Sequence, residues 1–148
     1  MSLFFFDTSA LVKRYHEERG TEVVDSIIEN PDSDIVISSL SIIETVSAFR
    51  RKYNTNEITE AEMNGQLSVF FREALDEFIV VPLAESIVEF SFDLILEDDL
   101  RTLDSLQLAA ALSIHADMED LTFVCADSEL TAIAEDRGVD SVNPIETE

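Results

Sequence analysis

Positive charge is scarce in this chain. Nine lysines and arginines face 32 aspartates and glutamates among 148 residues, for a net charge of −23. Such a surface repels nucleic acid and anionic lipid in ordinary buffer. Only two lysines occur, Lys13 and Lys52, and the acids are spread along the chain rather than gathered in a tail. Cationic partners are one explanation. The other, favoured by the spread and the loss of lysine, is a halophilic host. In molar salt the Debye length falls to about 3 Å and self-repulsion is largely screened. Glycine and proline number three each, which leaves little room for long loops or linkers. The single cysteine, Cys125, excludes an intramolecular disulfide. Inside a predicted strand it reads as a small buried hydrophobe, and nothing nearby supplies the electropositive setting of a reactive thiolate. No apolar run approaches a membrane span, and no basic segment precedes an apolar one as in a secretory leader. These absences predict a cytoplasmic protein that does not act in a membrane.

What is present is a core. Hydrophobic residues make up 46% of the chain, so the acidity does not come with the low hydrophobicity of a disordered segment. The length suits one domain, 1–148, with its own core and no need of disulfides or structural zinc. Apolar runs predict strands at 2–6, 35–37, 78–81, 122–126 and 139–142. Between them, helical periodicity predicts helices at about 8–18, 21–29, 39–53, 60–77, 84–97, 102–116 and 128–137. Asn30-Pro31-Asp32 and Asp98-Asp99 mark turns, and Gly138 stops the last helix. Ser39 or Ser41 is the expected cap of the third helix; Ser41 with Glu44, and Thr59 with Glu62, have capping-box spacing. Alternation of strands and helices predicts an α/β fold, a three-layer α/β/α sandwich around a central parallel sheet.

Four acids stand in unusual places. Asp7 ends the apolar run Leu3-Phe4-Phe5-Phe6, and Asp127 follows the run 121–126. Glu44 is the only acid between Asp34 and Glu57, with Leu40, Ser41, Ser47 and Ala48 as its helical neighbours. Asp104 opens an acid-free stretch, Ser105 to Ala116. Each has an ordinary explanation alone: Asp7, Asp104 and Asp127 as helix N-caps, Glu44 as a capping-box or surface acid. Together they have a shared one. Two end parallel strands, at the edge where open α/β sheets bind ligands, and two lie in the first turns of helices. Packed carboxylates repel; a hard dication, Mg²⁺ or Mn²⁺, removes the conflict. Glu129 is a candidate fifth, peripheral acid. The chain has no zinc spacing of Cys and His, no GxGxxG and no Walker A loop.

These residues and their flanks resemble the PIN-domain ribonucleases, in particular the VapC-type toxins. The matching segments run from Phe6-Asp7-Thr8-Ser9-Ala10-Leu11-Val12-Lys13 to Ser41-Ile42-Ile43-Glu44-Thr45-Val46-Ser47-Ala48. They continue with Arg101-Thr102-Leu103-Asp104-Ser105-Leu106-Gln107-Leu108-Ala109 and Phe123-Val124-Cys125-Ala126-Asp127. The resemblance implies that Asp7, Glu44, Asp104 and Asp127 are the catalytic and metal-binding quartet, supported by Ser9. It further implies hydrolysis of RNA phosphodiesters with Mg²⁺ or Mn²⁺, leaving 5′-phosphate and 3′-hydroxyl ends. A homodimer and a small antitoxin whose tail blocks the site are the implied partners. Two readings from other classes stay open: a non-catalytic acidic pocket that binds a basic peptide, and a metal-dependent phosphatase.

The charge departs from the family pattern of a basic RNA-binding surface. Five of the nine basic residues, Lys13, Arg14, Arg50, Arg51 and Lys52, fall on the two helices next to Asp7 and Glu44. They read either as partners of helix C-termini and nearby acids or as a local phosphate track toward RNA. Arg101, beside Asp104, reads as an ion-pair or helix-start partner rather than a transition-state donor. His115 reads as a packed ring or a helix C-terminal dipole partner, and His16 as surface. Phe70, Phe71, Phe78, Phe90 and Phe92 read as core or interface rather than base-stacking platforms.

Overall fold

Strand β1 (Ser2–Phe6) occupies the middle of a five-stranded sheet in a computed structural model that describes residues 2–118 and 120–147. The other strands are β2 (Ser33–Ser38), β3 (Ile79–Val81), β4 (Leu121–Val124) and β5 (Asp140–Val142). Their order is β3-β2-β1-β4-β5 and every pairing is parallel. The helices are α1 (Thr8–Leu11), α2 (Thr21–Glu29), α3 (Ser39–Asn54), α4 (Glu60–Asp76), α5 (Glu85–Asp98), α6 (Thr102–Asp117), α7 (Ser128–Asp136) and α8 (Pro144–Thr147). This is the α/β architecture that the alternation of elements predicts.

Strand side chains alternate between the two faces, and the core divides accordingly. Leu3, Phe5, Val36 and Phe123 pack on one face with residues of α5, α6 and α7. Phe6, Ile35, Ile37 and Val124 pack on the other with residues of α3 and α4, and with Ala10, Leu11 and Val24. Both faces of the central strands are covered, which is why β1 reads as a continuous apolar run rather than an alternating one. Phe70 and Phe78 join the second cluster and Phe90 borders the first. Phe71 and Phe92 are exposed.

The chain steps from β1 to β2 to β3 in one direction, then returns to place β4 on the other side of β1. That reversal opens a crevice beyond the carboxyl ends of β1 and β4, the place where doubly wound sheets bind ligands. The bond from Asp7 N–H to the Val124 carbonyl, 2.9 Å, carries the pairing of these strands to the lip of the crevice.

Three local expectations are corrected. The helix expected over 8–18 stops at Leu11 and closes as a 3-10 turn, Val12–Arg14. The Thr21 hydroxyl donates to the Lys13 carbonyl at 2.9 Å and accepts from Glu18 N–H at 3.0 Å, ending the helical ladder there. Gly20, at φ +99°, turns the chain into α2. Helix α3 is capped by Ser38, whose hydroxyl accepts from Leu40 N–H, and not by Ser39 or Ser41. The fourth strand ends at Val124, and Cys125 follows it, fully buried. The Thr59–Glu62 capping box forms as its spacing predicts.

Candidate metal centre at the carboxyl edge of the sheet

Asp7 is the first residue beyond β1 and the N-cap of α1. Its Oδ2 accepts from Ser9 N–H at 3.1 Å and from Ser9 Oγ at 2.6 Å. Ser9 Oγ in turn accepts from Ala126 N–H at 3.0 Å, tying the end of β1 to the segment after β4. The Asp7 residue is only 6% exposed. Burial pushes its carboxyl up to about 6; the Ser9 bonds oppose this, and the charges of Asp104 and Glu44 add to it. Cys125 Sγ lies 3.7 Å from Asp7 Oδ2. Burial, with Asp7 second, raises its thiol far above the usual range, which disfavours the thiolate.

Glu44 projects from the middle of α3. The Ser38 cap leaves Ser41 and Glu44 free of capping duty, and both meet α1 and α6 instead. Glu44 Oε1 accepts from Thr8 Oγ1 at 2.8 Å and from Gln107 Nε2 at 2.9 Å. Asp104 is the third residue of α6, half-buried, with no side-chain cap on that helix. Its carboxyl is raised by burial first, then by Asp127 and Glu44, against a lowering influence from Arg101. Asp127 departs from the expected buried edge. It is exposed and caps α7, its Oδ1 accepting from Glu129 N–H at 2.9 Å and Leu130 N–H at 3.2 Å. So Asp7, Glu44 and Asp104 line one cleft of about 280 Å³, while Asp127 is not among its lining residues and bears on the set through its charge on Asp104.

The basic residues separate. Lys13 is buried and paired with Glu18 at 3.0 Å. Arg14 is held by Asp25, Glu29 and Glu73. Lys52 pairs with Glu18 and Glu57. Arg50 lies over the Tyr53 ring, 5.1 Å from its centroid. These four are engaged with other parts of the protein, as their helix-end and acidic neighbours demand. Arg51 alone of the five lines the acidic cleft, donating to Ser47 Oγ at 2.7 Å. His115 sits in the last turn of α6 and His16 follows the 3-10 turn; neither lines the cleft.

Three site residues escape a reading of acids alone: Thr8, Ser41 and Gln107. Their signal was present. Ser41 precedes Glu44 by three positions and Gln107 follows Asp104 by three, the spacing of one helical face.

No three Asp, Glu, His or Cys side chains among the described residues converge as a ready-made ion cage. The chemistry nevertheless fits a hard dication. The donors are all carboxylate oxygens, the set that suits Mg²⁺ or Mn²⁺ rather than zinc. The ion pairs described include none to Asp7, Glu44, Asp104 or Asp127. A buried carboxyl with two acidic neighbours and no ion pair among those described is the environment a cation relieves.

Comparison with known proteins bears on the family and the fold. The chain matches the PIN domain over residues 4–136. No curated protein sequence matches it. Its fold is similar to a toxin–antitoxin complex from Klebsiella pneumoniae, at TM-score 0.63 and 20% identity, over 95% of this chain and 96% of that one. It is similar to VapBC2 from Rickettsia felis bound to a promoter DNA fragment, at TM-score 0.63 and 14% identity, over 95% and 97%. It is also similar to VapC20 of Mycobacterium tuberculosis, a toxin that cleaves the sarcin–ricin loop, at TM-score 0.64 and 12% identity, over 88% and 94%. With the domain matched over nearly its whole length and the acids at the expected sheet edge, the chain belongs to the PIN-domain family, a family of nucleases.

Proposed function

We propose that this protein is a metal-dependent endoribonuclease of the VapC type, the toxin of a type II toxin–antitoxin pair. One observation carries the reading: three carboxyls from separate elements line one cleft at the topological switch point, and the charge of a fourth, Asp127, acts on Asp104. Asp7, Glu44, Asp104 and Asp127 would hold Mg²⁺ or Mn²⁺. When bound, such a cation stabilises charge on the scissile phosphate and activates water. Ser9 holds the Asp7 carboxylate through Oδ2. Arg51 offers a guanidinium to a phosphate in a cleft otherwise repulsive to RNA. Lys13, Arg14 and Arg50 do not serve RNA in this reading, because their side chains are already engaged.

Partners follow from the same surface. An apolar groove lined by Ile42, Val46 and Phe71 runs between α3 and α4, and Arg51 lines both this groove and the cleft. It suits an antitoxin tail that seats apolar residues in the groove and a basic one among the acids. Exposed Phe92 and Leu96 on α5 suit a homodimer face. No helix of the described residues is long and apolar enough to cross a membrane. The proposal places the protein in the cytoplasm of a halophilic host.

The test is cleavage of RNA in molar KCl with and without Mg²⁺ or Mn²⁺. The wild type should cut only with the cation, and Asp7→Asn should lose activity by at least two orders of magnitude, as removal of a transition-state contributor does. Equal cleavage by both proteins would sink the proposal. Cation binding with no cleavage of any RNA would favour an acidic pocket for a basic peptide, and hydrolysis of phosphomonoesters alone would favour a phosphatase.

A further inference from the structure

Gln107 is 1% exposed, yet its amide reaches three oxygens of the site. Nε2 lies 2.9 Å from Glu44 Oε1, 2.8 Å from Ser41 Oγ and 3.1 Å from Thr8 Oγ1. Thr8 Oγ1 and Ser41 Oγ are themselves 2.9 Å apart, and Thr8 donates to the same Glu44 oxygen. The amide orientation follows from the chemistry. Turned over, its oxygen would face the Glu44 carboxylate, acceptor against acceptor. In the orientation observed, Gln107 Oε1 is left buried with no hydrogen-bond partner. A buried acceptor without a partner costs about 1–3 kcal/mol, so a purely apolar residue would serve packing better here. The amide is retained at the one point where it can grip a site carboxylate.

We infer that Gln107, with Thr8 and Ser41, is a positioning device for Glu44. Two donors converge on Oε1, and Oε2 has no partner among the described bonds. The device fixes the carboxylate's rotation and leaves one oxygen free for the cation. Partners that orient metal-ligating groups in this way affect affinity strongly when removed. The inference rests on the metal-dependent reading above and adds a residue that acts through Glu44.

Gln107→Met removes both polar atoms at nearly constant volume, the orphaned oxygen included. Mn²⁺ binding without RNA, followed by calorimetry or electron paramagnetic resonance, should weaken roughly 10- to 100-fold, with the thermal midpoint in EDTA little changed. In a Glu44→Gln background the same substitution should weaken binding no further. Gln107→Asn, too short to reach Glu44, should repeat the result and stands in if the Met variant does not fold. Unchanged Mn²⁺ binding in Gln107→Met, or an equal loss in both backgrounds, overturns the positioning role while leaving the metal centre intact. A wild type that binds no Mn²⁺ overturns the metal reading and this inference together.

Discussion

Asp7 holds a carboxyl that the fold prefers neutral. Its unfolded value is near 3.8 and its folded value is about 6, raised chiefly by burial. Between these values the folded state binds more protons than the unfolded one, so stability falls as pH rises through that window. Above the folded value the full penalty remains, on the order of 3 kcal/mol at about 1.4 kcal/mol per pKa unit. In EDTA and molar KCl at pH 7, Asp7→Asn should therefore be more stable than the wild type. The gap should close toward pH 4. Adding Mn²⁺ should raise the wild-type midpoint and leave the variant's unchanged. Chemical denaturation across that pH range is the measurement; a variant less stable than wild type at pH 7 in EDTA would contradict the uncompensated carboxyl. Of the acids, Asp7 was the most legible in sequence, because an Asp directly after five strand residues can only stand at the strand's end. It is also an N-cap, a role that does not exclude the functional one.

At the scale of elements, Arg14 and Arg51 show how like residues diverge. Arg14 leaves the 3-10 turn and grips Glu73 of α4 with two nitrogens, at 3.0 and 3.3 Å, and Asp25 of α2 with another at 3.0 Å. Glu73 is 8% exposed, so removal of the arginine strands a buried charge. Arg14→Ala should cost roughly 3 kcal/mol. Arg51 is an exposed residue of α3, and Arg51→Ala should stay within about 0.5 kcal/mol of wild-type stability while raising KM for RNA about tenfold, the worth of one charge-assisted contact. Denaturation and steady-state cleavage of both variants separate the roles. Loss of stability in Arg51→Ala with an unchanged KM would remove it from substrate binding. The sequence placed both arginines beside site acids and could not tell them apart. Their difference depends on α4, some 60 residues later, folding back to present Glu73. The early stop of α1 has a similar origin: the Thr21 hydroxyl claims the Lys13 carbonyl from the next helix.

At the scale of the whole molecule, a net charge of −23 makes self-repulsion a term that salt can screen. The described ion pairs gather around Lys13, Arg14, Lys52 and Arg137, and Arg137 alone takes up Glu97 and Asp98. With 32 acids against nine basic residues, self-repulsion is weakly screened in low salt. The thermal midpoint should rise steadily from 0.1 M to 2 M KCl. A midpoint insensitive to KCl over that range would remove the halophilic reading and leave the acidity to cationic partners.

What the sequence determined alone was the layered α/β plan and which four acids stand out as candidates for a site. Strand and helix periods are local, and an acid that interrupts an apolar segment is conspicuous wherever the chain goes. Tertiary structure decided the rest. Parallel pairing of β1 with β4 brought the Asp7 and Asp127 ends together, yet left Asp127 exposed. Packing of α3 and α6 around α1 joined Gln107 to both Ser41 and Glu44, a pairing that helical spacing alone does not specify. Those contacts span 63 and 66 positions, and no local pattern specifies a hydrogen bond across such a separation. Position in the sheet, rather than residue type, distinguishes the few acids of the cleft from the many of the surface.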